Sequence, residues 1–468
     1  MNHKRRSFIR NFALGTGALA IELPALAVNN EMMHRSHLVQ GRVADFNMCG
    51  YAAPELDKVR VAFIGVGNRG SGAVNRMCHI KEVEIAAICD HRPERVSRAQ
   101  KTLENAGLPK AKEYGGEEGW KDLCQSKDID LVYICTPWSM HTPMAVYAMK
   151  HGKHAAVEVP AAVTLDECWQ LVETSEKTKK HCMMLENCCY DFFEIMTLNM
   201  AQQGVLGELV HAEGAYIHDL LNSNFGKNSY DKMWRLEENA KRNGNLYPTH
   251  GLGPIAQCLN INRGDKMDHL VSMSTNDFQM HDTAIARANE DAFYNKYTTK
   301  KFRGNMNTSV IRTNKGKTIM LQHDVTSPRP YSRIHILSGT KGYAQKYPEP
   351  GKISFGHDWI KEEEMSNLKE KYTPPIVKHI GELAKKVGGH GGMDFMMDWR
   401  LIDCLRNGLP LDQDVYDAAL WSAAGIVSEH SVANNSRTID IPDFTRGNWK
   451  TNKPVSLSLA GGATTTTR

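Results

Sequence analysis

Apolar positions fall in short blocks in the first half of the chain and begin to alternate with polar ones in the second. Val59 to Val66 is an apolar run with a single charge, Arg60, and Val83 to Cys89 is another. Asp130-Leu-Val-Tyr-Ile-Cys135, Lys153 to Val159 and His181 to Asn187 repeat the pattern. Runs of this length suit strands buried on both faces. Helix-type spacing separates them, over Glu94 to Ala106 and from His141 to about His151. Strands alternating with helices predict a parallel sheet. After Asn187 the texture changes. Val210 to Tyr216 alternates in part, and strand candidates follow at 269–275, 307–313, 317–324 and 334–338. They predict a second domain on a largely antiparallel sheet. Met393 to Leu405 has an amphipathic helical pattern, its Met-rich start reads as core, and Asp414 to Asn434 reads as another helix.

The glycines sharpen this picture. Gly65-x-Gly67-x-x-Gly70 follows the first apolar run, and Asp90 closes the second. The first glycine permits a tight turn off a strand. The second lets the backbone approach a pyrophosphate, and the third lets the helix pack close to the sheet. The helix N-terminus then offers free N–H groups to phosphate. An acid about 20 residues further on suits a ribose diol. The predicted class is therefore α/β, with an N-terminal Rossmann doubly wound parallel sheet. A C-terminal α+β domain with a largely antiparallel, open-faced sheet follows it. Asp90 favours NAD over NADP because a carboxylate repels a 2′-phosphate, while Arg92 pulls the other way. The boundaries read as a leader at 1–27, a linker at 28–57, the nucleotide domain at 58–186, the substrate domain at 187–448 and a polar surface tail at 449–468.

Composition changes little. The 468 residues are 41% hydrophobic and 24% charged, with a net charge of +4. This is ordinary globular material with no basic stripe for nucleic acid. Eleven cysteines without a CxxC pair argue for buried thiols rather than a disulfide framework or a structural zinc, and no metal is expected. Lys4-Arg5-Arg6-Ser7-Phe8-Ile9-Arg10 is a twin-arginine pattern, followed by a short apolar stretch and Ala25-Leu26-Ala27. It predicts export of a folded, cofactor-loaded protein to the periplasm, with no membrane span retained. An open sheet face also suits pairing with a second copy.

Several pieces together resemble the Gfo/Idh/MocA superfamily: GxGxxG with Asp90, Thr136-Pro137 with His141, the Glu158-x-Pro160 loop, and Asp414-Val415-Tyr416-Asp417. Within it the chain resembles glycoside hydrolase family 109. That likeness rests on Gly67-Asn68-Arg69-Gly70, Thr136-Pro137-Trp138, Glu158-Val159-Pro160, Tyr216-Ile217-His218-Asp219, Trp234-Arg235, Tyr247-Pro248-Thr249-His250 and Arg329-Pro330-Tyr331. Superfamily dehydrogenases carry a lysine where this chain has Val159, which points to a different arrangement for proton transfer.

The resemblance implies a glycosidase with tightly held NAD, acting on terminal α-N-acetylgalactosamine or a related sugar. Carbon 3 is oxidised, the carbon 2 proton is removed, the aglycone leaves, water adds and the hydride returns. It implies cofactor contacts from Gly65, Gly67, Asn68, Arg69, Gly70, Asp90, Trp138, His141, Glu158, Val159 and Asn187. Arg235 and Tyr331 are implied as sugar contacts, and Glu186 as an orienting group. His250 and Tyr247 are candidates for the oxidised hydroxyl. Tyr216 is the candidate for the carbon 2 proton, with His218 beside it. The reverse assignment of Tyr216 and His250 stays open, as do a cofactor-exchanging sugar dehydrogenase and a non-catalytic sugar sensor. His390, in Gly388-Gly389-His390-Gly391-Gly392, reads as a loop residue without assigned chemistry.

Overall fold

The computed structural model describes residues 46–468. The leader at 1–27 and the first part of the linker lie outside the described residues.

Six short strands form the nucleotide sheet: β1 (Val59–Ile64), β2 (Val83–Cys89), β3 (Lys112–Tyr114), β4 (Leu131–Ile134), β5 (His154–Val157) and β6 (Cys182–Met184). Their order is 3-2-1-4-5-6 and every pairing is parallel. The reversal of order between β1 and β4 opens a crevice at the strand C-termini, where ligands of such sheets bind. β1, β4 and β5 are almost fully buried, so their sequences show no alternation.

The second sheet holds eight strands: β7 (Leu209–Ile217), β8 (Met267–Ser274), β9 (Asn307–Thr313), β10 (Thr318–Asp324), β11 (Ile336–Gly339), β12 (Tyr343–Gln345), β13 (Lys352–Ser354) and β14 (Ile439–Asp440). Their order is 13-12-11-7-10-9-8-14. All neighbours run antiparallel except β7 and β10, which are parallel. The expected antiparallel domain is therefore present with one parallel seam. Val271, Met273 and Val310 stand exposed on β8 and β9.

Two late helices join the two sheets. Val415–Ala433 is started by an Asp414–Asp417 capping box and packs between β6, β8 and the helix Leu165–Thr178. Met393–Arg406 packs on the helix Asn68–Met77 of the nucleotide half. Met393, Met396 and Met397 are buried there, as their apolar spacing predicted. The described end of the linker is docked, with the Met48 backbone N–H donating to the Tyr416 hydroxyl at 3.2 Å.

The segment 449–468 is more than a surface tail. The Trp399 indole donates to the Thr465 carbonyl, and the Arg468 guanidinium reaches the carbonyls of Cys78, Ile80 and Lys81. Backbone and side-chain donors of this polar stretch thus satisfy carbonyls around the end of the helix Asn68–Met77, which composition could not reveal. All eleven cysteines are free, and nine of them are buried.

Candidate active site

The glycine turn is shaped for a dinucleotide. Gly65 has φ +83°, and a Cβ on Gly70 would lie 1.9 Å from the Gly65 carbonyl oxygen. Only glycine lets the helix approach the strand this closely. The helix Asn68–Met77 starts without a side-chain cap, so its first N–H groups face the crevice unspent. Asp90, at the end of β2, accepts from the Val66 and Arg92 backbone N–H groups at 2.9 and 3.0 Å. These bonds fix the carboxylate at the turn and leave its remaining lone pairs for a ribose. The cradle fits the nucleotide that the motif implies.

His141 serves this site indirectly. Its two ring nitrogens lie 2.7 Å from the carbonyls of Pro160 and Thr136, so the side chain ties the loops after β4 and β5 together. Burial holds its pKa below the usual imidazole value, against the pull of those carbonyls. Val159 is buried and can exchange no proton.

The rim of the crevice is ionic. Arg69 donates to Glu158 at 3.1 Å and to Asp394 at 3.2 Å. Asp394 also takes the amide of Asn187 and lies 2.9 Å from His390 Nδ1. Burial pushes the Asp394 carboxyl up, but His390, Arg69 and Arg76 outweigh it and hold it well below the usual carboxylate range. Asp398 anchors Arg76 at 2.6 Å one turn further on. Sequence reasoning missed Asp394. The signal was a pair of acids four apart on an otherwise apolar helix, where burial demands cationic partners. His390, left without chemistry in the sequence, sits in this cluster. It is held there by four glycines and its own backbone, all at positive φ.

The remaining candidate residues converge on the other wall. β7 delivers Tyr216, and the helix Thr249–Cys258 delivers His250. The two elements cross with no side chain between them. A Cβ on Gly214 would lie 2.3 Å from the Gly251 carbonyl oxygen, and one on Gly251 would lie 2.2 Å from Ala215 N. The rings of Tyr216 and His250 come to 5.3 Å, and Tyr247 lies within 4.9 Å of each ring. Trp138 stacks on Tyr247 at 5.7 Å, linking this wall to the end of β4.

Protons have defined homes here. His250 Nδ1 lies 2.7 Å from Glu186, which is fully buried. Burial raises the Glu186 pKa, yet the His250 imidazole and its hydrogen bond prevail and hold it below the ordinary glutamate value. An ionised Glu186 accepts only, so Nδ1 carries the hydrogen and Nε2 is left for substrate. The Tyr216 hydroxyl lies 2.9 Å from His218 Nδ1. Burial raises Tyr216, partly offset by the Arg235 charge, and burial lowers His218 with help from Arg235, His250 and His390. At neutral pH the pair is a phenol against a neutral imidazole. Glu186, Cys188 and His250 also bring donor atoms within 4.8 Å of one another, but Glu186 and His250 are spent on each other.

Arg235 is the cation of this wall. It lies over the rings of Trp138, Tyr216, Tyr230 and Tyr247 at 5.0–5.9 Å, and its Nη2 is buried without a hydrogen-bond partner. A buried guanidinium N–H left open is costly unless a ligand oxygen completes it. Tyr331 closes the mouth, edge-on to His218 at 5.0 Å. Arg333 holds the Tyr331 hydroxyl at 3.2 Å and is itself gripped by Glu194 and Asp191. Tyr331 is recognisable in the sequence, whereas the buried acids Glu194 and Asp191 that hold its Arg333 support lie far off along the chain. Tyr216, His218, Arg235, Tyr247, His250 and Tyr331 thus form one cluster of side chains, which Trp138 joins to the end of β4.

A parallel nucleotide-binding sheet joined to a mostly antiparallel second sheet is the architecture of the Gfo/Idh/MocA class. The oxidoreductase family with an NAD-binding Rossmann fold matches residues 59–186, and the glycosyl hydrolase 109 C-terminal domain matches residues 190–451. The chain belongs to glycoside hydrolase family 109 and is a glycosidase. It is 51% identical over 424 residues to glycosyl hydrolase family 109 protein 1 of Bacteroides fragilis strain YCH46, spanning 86% of this chain and 89% of that one. It is 52% identical over 410 residues to a Bacteroides fragilis protein named alpha-N-acetylgalactosaminidase, spanning 86% and 96%. Scyllo-inositol dehydrogenase of Lactobacillus casei with bound NAD(H) and scyllo-inositol shares the fold at 12% identity. The TM-score is 0.58, over 82% of this chain and all of that one.

Proposed function

We propose that the protein hydrolyses glycosides of terminal α-N-acetylgalactosamine by a redox-assisted elimination, with NAD held in the Rossmann crevice. The observation that carries this reading is the joint placement of Tyr216–His218 and His250–Glu186 around one buried, open guanidinium at the edge of that crevice. The high identity to a protein named alpha-N-acetylgalactosaminidase supports the choice of sugar.

NAD⁺ supplies a reversible hydride acceptor, which lets carbon 3 of the sugar be a ketone for part of the cycle. His250, oriented by Glu186, takes the proton of the carbon 3 hydroxyl and later returns it. Arg235 Nη2 binds a sugar or acetamido oxygen. Tyr216, with His218 to receive its hydroxyl proton, removes the proton from carbon 2. Departure of the aglycone from carbon 1 follows, and water adds back. In contrast to a two-carboxylate glycosidase, no pair of acids has to flank the bond.

The test is isotopic. Substrate deuterated at carbon 2 should yield product that has lost the label in ordinary water, and Tyr216→Phe should suppress both washout and cleavage by about a hundredfold or more. Product that keeps its deuterium at full turnover rules out the elimination.

His390 completes the reading as the group that protonates the departing oxygen. It is a half-exposed imidazole at the rim, braced by buried Asp394. His390→Ala should slow cleavage of alkyl or sugar aglycones by about a hundredfold, as expected for loss of a general acid. It should slow a para-nitrophenyl glycoside, whose leaving oxygen needs no proton, far less. Equal losses on both substrates overturn this role.

A further inference from the structure

The second domain reaches back across the nucleotide half through the segment that carries Tyr230, whose hydroxyl accepts from Arg235 at 3.2 Å. Between Phe225 and Trp234 the chain passes over the glycine turn. There the Asn68 amide donates to the Ser229 carbonyl at 2.5 Å. Two residues later, Asp231 forms an ion pair with Arg92, lies 3.6 Å from Arg95 Nη2 and 3.3 Å from His91 Nε2. Arg95 also stands 3.7 Å from Asp90, and its guanidinium lies 3.3 Å from where a Cβ on Gly67 would be. The Asp231 side chain is only 13% exposed, whereas Arg92 is 42% exposed. Lys232 and Met233, which follow, both have positive φ, so the backbone turns sharply just after the acid.

This contact sits where the adenosine end of a dinucleotide belongs, because Asp90 marks the ribose and Gly67 the pyrophosphate. Arg92 and Arg95 are the groups that would welcome a 2′-phosphate. Asp231 engages both.

We propose that Asp231 determines which dinucleotide the enzyme accepts and how long it stays. The segment 226–233 straps the adenosine end in place. Asp231 also occupies the two arginines beside Asp90, so a 2′-phosphate meets two carboxylates and no free guanidinium. The strap comes from the substrate domain, which gives a physical reason for a cofactor that is recycled rather than exchanged. This inference rests on the reading that the crevice holds NAD.

The test uses the intact enzyme and reads bound nucleotide rather than glycosidase activity. Purified protein is incubated with isotopically labelled NAD, separately with NADP, then passed through gel filtration, denatured, and its released nucleotide quantified. Wild type should exchange labelled NAD slowly and take up no NADP. Asp231→Ala should exchange NAD at least tenfold faster and acquire NADP. Arg92→Ala should also exchange faster, because the strap loses an anchor, yet gain no NADP, because one cation is gone and Asp231 and Asp90 still cover Arg95. Asp231→Asn, which keeps the shape, serves if the alanine variant does not fold. Wild type and Asp231→Ala both retaining NAD with exchange rates within twofold overturns the strap and leaves the function standing. Faster exchange with NADP still refused overturns the selectivity. Wild type that neither contains nor takes up NAD defeats the proposed function itself.

Discussion

His250→Ala is expected to lower kcat by about a hundredfold to ten-thousandfold, the range a positioned general acid or base contributes. The expectation follows from the geometry of one nitrogen. Nδ1 is committed to Glu186 at 2.7 Å, so the tautomer and ring orientation are set before substrate arrives. Glu186→Gln keeps a hydrogen-bond acceptor but removes the charge that stabilises the imidazolium, so the loss should be about tenfold or more, smaller than for His250→Ala. The pH dependence has a definite sign. Glu186 is held below its ordinary value, so it stays ionised as pH falls through the usual glutamate range. Its contribution to stability is present above the unfolded value and is lost as pH falls through the lowered folded one. Single-turnover kinetics with both variants, alongside thermal unfolding, check this. A turnover within fivefold of wild type for folded His250→Ala removes His250 from the chemistry.

Gly70→Ala should be the most damaging change in the nucleotide half. Its Cβ would have to stand 1.9 Å from the Gly65 carbonyl oxygen, so backbone must move where β1 meets the helix. Overpacking of a tight contact costs about 1–3 kcal/mol or more, and here the shift also spoils the phosphate cradle. Thermal unfolding should fall by several degrees, and the purified variant should carry little NAD. Gly67→Ala offers the contrast. Its Cβ meets only the Arg95 guanidinium at 3.3 Å, a flexible side chain that can swing away. That variant should melt near wild type and lose nucleotide because the pyrophosphate is displaced. Gly70→Ala melting and binding like wild type would mean that the close packing is not what requires glycine.

The parts legible in the chain were those whose signal is local. The apolar runs of β1, β4 and β5 and the GxGxxG turn need only neighbours in sequence to be recognised. Tyr216 and His218 stand two residues apart at the end of β7, and the structure sets the Tyr216 hydroxyl 2.9 Å from His218 Nδ1. Glu186 was implied as an orienting group by the family resemblance, and the structure sets it 2.7 Å from His250 Nδ1. Asp394, Asp231 and Arg333 were not assigned, because each matters through a partner far off in sequence. Asp394 lies 325 positions from Arg69, and no periodicity spans that gap. His390 looked like a bare loop residue until the fold set it against Asp394.

The short strands β3, β12, β13 and β14 carry too little pattern to be read. The sequence by itself determined the succession of the main buried strands and the helices between them, the nucleotide turn and the set of residue types available for proton transfer. These follow from hydrophobic period and from what glycine, acid and imidazole can do at short range. Tertiary structure alone decided which histidine is braced by which carboxylate, which arginine is left open in an aromatic cage, and that the second domain sets Asp231 against Arg92 and Arg95 beside Asp90. Those depend on how two sheets and two late helices pack, and packing places side chains by contact rather than by their distance along the chain.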